Sequence, residues 1–145
     1  MDGFQVNLLV AWSNIYGIPV LAMTIIEPSM PLWTVFMMAF MVSASTLMHL
    51  SEVKHGLPGI YPFNMYSTLF LWGDRISAFV CASVISYIII TNQNWGLLMF
   101  ASSGLLLGGL SELASDKILF MCLHIVWHFV AYISLMLAFR IEFLH

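Results

Sequence analysis

The chain has 145 residues, of which 61% are hydrophobic and only 8% are charged, and its mean hydropathy is +0.97. Soluble domains carry about 25% charged residues, so this composition excludes a soluble globular protein and indicates a polytopic membrane protein. The net charge is −3 and no run of basic residues occurs, which excludes a protein that binds nucleic acid. No Lys or Arg precedes the first apolar segment, so we expect that segment to be retained as a helix.

Five apolar segments approach the length of about 20 residues that a helix needs to cross a bilayer. No linker or repeat separates them, so residues 1–145 are predicted to form one transmembrane domain. Pro19 lies inside the first segment and is expected to kink it near Ile15. The predicted fold is an all-α, polytopic bundle with about five membrane-spanning helices, near residues 6–26, 32–50, 65–91, 95–113 and 118–139.

The positive charges favour one orientation in the membrane. The longest break between segments, residues 51–64, defines what we call the near side. Lys54, Arg75 and Lys117 lie at or close to the near side, whereas only Arg140 marks the far side. The positive-inside tendency therefore predicts that the near side, with the N-terminus, faces the cytoplasm, or the matrix or stroma of an organelle.

The last apolar segment contains two histidines, His124 and His128, four residues apart. On a helix this spacing places both imidazoles on one face, about one turn apart. Polar rings within a membrane segment are costly unless something binds them, and imidazole pairs at this spacing often hold zinc. The alternative is that both rings only hydrogen-bond to neighbouring helices, and for an isolated pair this is the more common role.

Three more polar side chains are predicted to lie at the depth of this histidine pair. His49 is at the near-side end of the second segment, and Asp74 is in the near-side third of the third. Ser45 stands four residues before His49 and shares its helix face. Because helix directions alternate, all these side chains fall in one layer of the membrane. Convergence of this kind favours a metal site over unconnected polar residues.

Three imidazoles and one open position form the ligand set of a catalytic zinc whose fourth ligand is water. The sequence therefore predicts Zn²⁺ bound by His49, His124 and His128. Zinc lowers the pKa of its water to about 7, and Asp74 is suited to act as general base. The Ser45 hydroxyl can donate to a developing oxyanion, although a hydrogen bond to the carbonyl four residues earlier is its simpler role. Such a set suits hydrolysis of a lipid amide or ester.

This pattern resembles the CREST superfamily, which groups alkaline ceramidases, progestin/adiponectin-receptor-like proteins, GPI-lipid remodelling proteins and myomaker-like transmembrane proteins. The resemblance rests on Ser45-x3-His49, on Asp74 about 25 residues later, and on His124-x3-His128 with a Trp before the final His. The short gap after His49, which contains Gly-Leu-Pro-Gly, is most similar to the myomaker-like branch. The resemblance implies zinc on the three histidines, with Asp74 and Ser45 beside the water, and some members are lipid hydrolases.

The sequence departs from the family in helix number. The family has seven helices, three of them between the Asp helix and the last, whereas here only residues 95–113 fit between Asp74 and His124. The loss of two helices is expected to leave an open flank, covered by membrane lipid, a second copy of the chain or another membrane subunit. Gly104 and Gly108 form a close-packing motif that is a candidate for this flank.

Two functional hypotheses follow. The first is a zinc-dependent intramembrane hydrolase of a lipid amide or ester. The second is a non-catalytic structural or accessory subunit of a larger membrane complex, for example an organellar energy-transducing complex, that retains the zinc site. Other polar residues receive ordinary roles: His55, Glu112 and His145 are expected to be solvated, and Arg75 to extend to the near-side interface.

Overall fold

The structure, a computed structural model, describes residues 1–144 and contains no strand in that range, so the expectation for His145 lies outside the described residues. Five helical segments are long and apolar enough to cross a membrane, which confirms the all-α bundle of an integral membrane protein. The last segment runs four residues further than predicted, to Phe143, because the helix continues through Arg140. The helices are α1 (Gly3–Trp12), α2 (Gly17–Ile26), α3 (Leu32–Ser51), α4 (Ser67–Thr91), α5 (Trp95–Leu113) and α6 (Lys117–Phe143).

The first span is broken between α1 and α2 by the 3₁₀ turn Ser13–Tyr16. The turn lies where Pro19 predicts a kink, since a proline inside a helix removes the hydrogen bond to the carbonyl four residues earlier. Ser13 and Asn14 are both buried at the break. The Tyr132 hydroxyl of α6 donates to Asn14 Oδ1 at 2.7 Å. The break therefore joins polar side chains of the first span to α6.

Helix α6 packs directly against α1, α2, α4 and α5, but among residues 1–144 no Cα atoms of α3 and α6 approach within 8 Å. The gap between α3 and α6 is filled by side chains. Towards the far side a large apolar cluster, which includes Met38, Ile89 and Leu135, is fully buried. Towards the near side a smaller cluster forms around Val6 and Phe120. Along α6, the two predicted histidine ligands fall between the residues of these clusters.

Helices α5 and α6 are held closely together by glycine. A Cβ atom at Gly104 would lie 2.8 Å from Val130 Cγ1, and one at Gly108 would lie 3.1 Å from the Trp127 ring. Small residues at this spacing let membrane helices approach closely. The two glycines thus pack inside the chain against α6, and their expected place on an open flank is corrected.

A candidate metal centre

The three histidines predicted as metal ligands lie together. One ring nitrogen of each of His49, His124 and His128 lies within 4.8 Å of those of the other two, and all three side chains are buried. His49 reaches inward from the last turns of α3, and the other two project from successive turns of α6. The rings span the gap between α3 and α6, and the cluster could hold one metal ion.

Each of these histidines also contacts a further polar side chain through its Nδ1 atom. The three partners come from the turn between α1 and α2, from the near-side end of α5 and from the residue that follows α3. The contacts are His128 Nδ1 with Ser13 Oγ at 2.6 Å, His124 Nδ1 with Ser111 Oγ at 2.9 Å, and His49 Nδ1 with Glu52 Oε2 at 3.1 Å.

These partners decide which ring nitrogen carries the proton. The Ser13 hydroxyl donates to the carbonyl of Val10 at 2.6 Å, and the Ser111 hydroxyl donates to that of Gly108 at 2.7 Å. Because a hydroxyl has one proton, each serine oxygen is left to accept from a histidine Nδ1–H. The Glu52 carboxylate can likewise only accept. Hydrogen bonding thus assigns the Nδ1–H tautomer to all three rings and leaves every Nε2 as an acceptor.

The free Nε2 atoms favour a cation over a purely structural role. His49 Nε2 is buried without any hydrogen-bond partner among the described residues. A buried acceptor left unpaired costs about 1–3 kcal/mol. A purely structural role, in which the rings only hydrogen-bond to other helices, explains the contacts of the Nδ1 atoms but not the Nε2 atoms. The Ser45 hydroxyl lies 3.4 Å from His128 Nε2, at the long limit of a hydrogen bond. One cation would satisfy the three lone pairs together, so the residues fit a metal ion.

A cavity of about 250 Å³ lies beside the histidines, between α3, α4, α5 and α6. Ser45 and the half-buried Asp74 line it together with His124 and His128. Along α4 the lining extends from Asp74 to Ser86, which corresponds to about 18 Å at 1.5 Å per helical residue. The predicted catalytic side chains thus share one elongated space with two of the three histidines.

Charged residues hold α4 and α5 together at the near-side end of the cavity. Glu112 Oε2 accepts from Arg75 Nη2 at 2.7 Å and from Lys54 Nζ at 3.1 Å. The expectation of a solvated Glu112 is therefore wrong, whereas Arg75 is 46% exposed and lies at the near-side end of α4, where it was expected. The cause is that the carboxylate, in the last turn of α5, projects towards cations of two neighbouring elements, whose positions the predicted span does not reveal.

His55 is also misassigned as solvated, since its side chain is only 7% exposed. Its ring stacks on Phe120 with the centroids 4.3 Å apart, and its Nδ1–H donates to the Ala114 carbonyl at 2.8 Å. The loop turns back through positive φ angles at His55 (57°) and Gly56 (72°). This reversal places the His55 ring against the start of α6. The pattern of apolar residues along the sequence gives no indication of such a loop reversal.

Sequence reasoning missed the three residues that bind the Nδ1 atoms. Glu52 is three residues after His49, the spacing of neighbours on one helix face, so it offered a local signal. Ser13 and Ser111 offered a weaker one: Ser13 lies next to the predicted kink, and Ser111 at the near-side end of its segment. Pairing either serine with its histidine requires knowing which helices are adjacent.

Comparison with known proteins adds no relative. No protein-family model matches the sequence, and no curated protein or solved structure matches it significantly. The resemblance to the CREST superfamily accordingly stays a prediction, and the chemistry of the site is argued from its own residues.

Proposed function

We propose that this membrane protein is a zinc-dependent hydrolase of a lipid amide or ester, built on a reduced CREST-like scaffold of five spans. The observation that carries the proposal is the convergence of three histidine side chains that could hold one metal ion, two of which line a cavity together with Asp74 and Ser45. A structural histidine cluster has no need of a cavity, whereas a catalytic one needs space for a substrate.

Zinc is the metal that this donor set suits. Neutral imidazoles are good ligands for zinc, and carboxylate-rich sites are the ones preferred by magnesium or calcium. Three protein ligands with a fourth position open is the arrangement of catalytic zinc, whereas structural zinc is closed by four protein ligands. A zinc ion bound there would supply Lewis acidity and lower the pKa of water to about 7.

The side chains of the cavity divide the remaining work. Asp74 is positioned to accept a proton from the water as its oxygen attacks the carbonyl carbon of the substrate. The same carboxyl group then gives the proton to the leaving amine or alkoxide when the C–N or C–O bond breaks. Among the described residues the Ser45 hydroxyl makes no hydrogen bond to a backbone carbonyl and lies beside His128 Nε2, so it faces the site and can donate to the developing oxyanion.

The depth and shape of the cavity support a lipid substrate. Its walls beyond the polar residues are formed by small and apolar side chains, including Ala78, Ala82 and Leu105. These side chains lie within membrane-spanning helices, where water-soluble substrates are scarce. An acyl chain lying along α4 would bring its carbonyl group to the polar end, near Asp74.

The experiment measures metal content and hydrolysis on the same purified protein. We expect about one zinc per chain by elemental analysis, and release of fatty acid from an N-acyl or ester lipid in mixed micelles. Asp74→Asn should lower the rate about 10²–10⁴-fold while zinc is retained, since that is the usual contribution of a general base. Asp116→Asn is the matched control, because Asp116 is exposed and caps α6. Stoichiometric zinc without turnover of any amide or ester lipid would count against a hydrolase.

One observation favours the second candidate, an accessory subunit that keeps the metal. Among the described residues helix α5 packs mainly on α6, with a smaller contact to α4, and it exposes large apolar side chains such as Leu106 and Leu113. A helix of another membrane subunit could cover these side chains. The protein would then co-purify with a complex and lose its fold when extracted alone, whereas a stable, active monomer in mild detergent excludes this role.

A further inference from the structure

Glu52 is a buried carboxylate that has no cationic side chain to balance it. It is 4% exposed and follows directly after α3. Among the described residues its charged-group contacts are to two histidines, His49 and His55, and to no Lys or Arg. Lys54, only two residues away, turns instead to Glu112. In the part of the chain that the structure describes, Glu52 Oε1 has no hydrogen-bond partner.

A buried negative charge without a partner is strongly unfavourable, so such a residue is usually paired or neutralised by a bound cation. Among residues 1–144 no Lys or Arg lies within ion-pair distance of Glu52, and the two histidines that contact it are cations only when protonated. The nearest place for a bound cation is the space that the histidine Nε2 atoms face. Only the imidazole ring of His49 separates this space from the Glu52 carboxylate. Glu52 Oε2 accepts from the Nδ1 of His49 at 3.1 Å, and the unpartnered Nε2 lies on the other side of the same ring.

We propose that Glu52 is the buried counter-charge of the metal ion and the positioning residue for its ligand His49. This inference rests on the proposed metal centre and is independent of hydrolysis. A carboxylate that accepts the second N–H of a metal-bound imidazole fixes the ring and raises its basicity. Three neutral histidines leave both charges of a divalent ion uncompensated, and the carboxylates of Glu52 and Asp74 together supply two negative charges.

The surroundings of Glu52 hold it in this place. Asn7 Nδ2 donates to the carbonyls of His49 and Glu52 at 2.8 and 3.0 Å, which ties the end of α3 to α1. His55 Nε2 lies 4.0 Å from Glu52 Oε1 on the other side. The stack of His55 on Phe120 fixes that ring in turn. The loop after α3 thus supports the ligand from outside the metal centre.

The test replaces Glu52 by glutamine, which keeps a hydrogen-bond acceptor for His49 and removes the charge. In purified Glu52→Gln protein we expect zinc affinity, measured by competition with a chelator, to fall about 10–100-fold. The absorption spectrum of the Co²⁺-loaded protein should also shift, since the ligand field of His49 changes. The unfolding temperature of the metal-free protein should stay the same or rise, because an uncompensated buried charge is removed.

The opposite signs of these effects separate the proposal from a merely structural role. A structural role lowers the stability of the metal-free protein and the zinc affinity together, and that result would overturn the proposal, as would unchanged affinity. Glu27→Gln, on the far side, is the matched control and should alter neither quantity. If the wild-type chain binds neither zinc nor cobalt, the metal centre itself fails and this role with it. If it binds zinc without hydrolysing lipid, only the enzymatic proposal fails.

Discussion

At the scale of single residues, the candidate metal centre depends on the choice of histidine tautomer. Spacing along a helix brings imidazoles together, but it does not decide which nitrogen they offer. Here Ser13 and Ser111 decide it for two of the rings, because each hydroxyl donates its only proton to a backbone carbonyl three residues earlier and can then only accept from Nδ1–H. Without that backbone bond the hydroxyl could donate to Nδ1, and the ring could turn an N–H towards the metal.

Ser111→Ala should therefore weaken metal binding without touching a metal ligand. The substitution removes the acceptor that holds the Nδ1–H of His124, and loss of such an outer partner typically lowers metal affinity about 10–100-fold. Zinc competition with a chelator measures the change. Ser103→Ala is a close control, since its hydroxyl makes the same kind of bond, to Phe100 O at 2.6 Å, on the exposed face of α5.

Equal zinc affinity in the Ser111→Ala and wild-type proteins would show that the tautomer of His124 is fixed by something other than this hydroxyl. A comparable loss in the Ser103→Ala protein would point to a general effect on α5. Either result would show that the Ser111 hydroxyl does not support metal binding, and neither would bear on the histidine cluster itself.

At the scale of elements, hydrophobicity was enough to find the spans and proline was enough to find the break. The bilayer imposes both, since backbone groups in lipid must be satisfied within a helix. The ends of the helices were harder to predict. Arg140 looks like a loop residue because it is charged, yet it lies in the last turn of α6, and Glu112 lies in the last turn of α5 with its side chain in an ion pair. Pairing with Arg75 and Lys54 makes a helical position suitable for Glu112, and a partner on another element is invisible in local sequence.

The packing of α5 on α6 gives a prediction at this scale. Gly104→Ala should destabilise the bundle by about 1–3 kcal/mol, the usual cost of overpacking, because the new Cβ would lie 2.8 Å from Val130 Cγ1. Gly109→Ala is the matched control on the same helix, since nothing lies within 4 Å of a Cβ there. Unfolding of the two variants in mixed micelles by a denaturing detergent measures the difference.

If both alanine variants unfold together, α5 and α6 do not meet through Gly104. The close-packing motif would then be free to serve the outer face of α5, as the sequence alone first implied. A lower stability of Gly104→Ala alone supports the internal contact and leaves Gly109 as the glycine open to the surroundings of the helix.

At the scale of the whole molecule, the histidine cluster could be predicted from the sequence because the order of the spans indicates how deep each residue lies in the membrane. Alternating helix directions place His49 level with His124 and His128, and the structure brings these three rings together. The neighbours of each helix are not set by depth. For that reason the contact of Ser13 with His128, 115 residues apart, was missed. The inward turn of His55 was missed too, because it depends on a loop reversal.

Helices α4 and α5 contact each other only weakly, and the cavity lies between them. Their near-side ends are joined by Arg75 and Glu112, and their far-side ends by the short loop 92–94. Between these points small side chains of both helices border the cavity. A space that is bounded at both ends suits a flexible chain better than a whole helix, which needs a continuous face to dock on.

Filling this space distinguishes a substrate cavity from a passive gap. Ala82 lines the cavity on α4, whereas Val80 on the same helix is 44% exposed on the outside of the chain. Ala82→Phe should lower the rate of lipid hydrolysis at least about 10-fold, because an aromatic ring occupies volume that the acyl chain needs, and zinc content should not change. Val80→Phe adds the same ring to the surface and should leave the rate unchanged.

If Ala82→Phe hydrolyses lipid as fast as the wild type, the substrate does not lie between α4 and α5. If Ala82→Phe keeps its zinc but hydrolyses lipid more slowly, the space between α4 and α5 takes part in catalysis. A non-catalytic accessory subunit would not show this result.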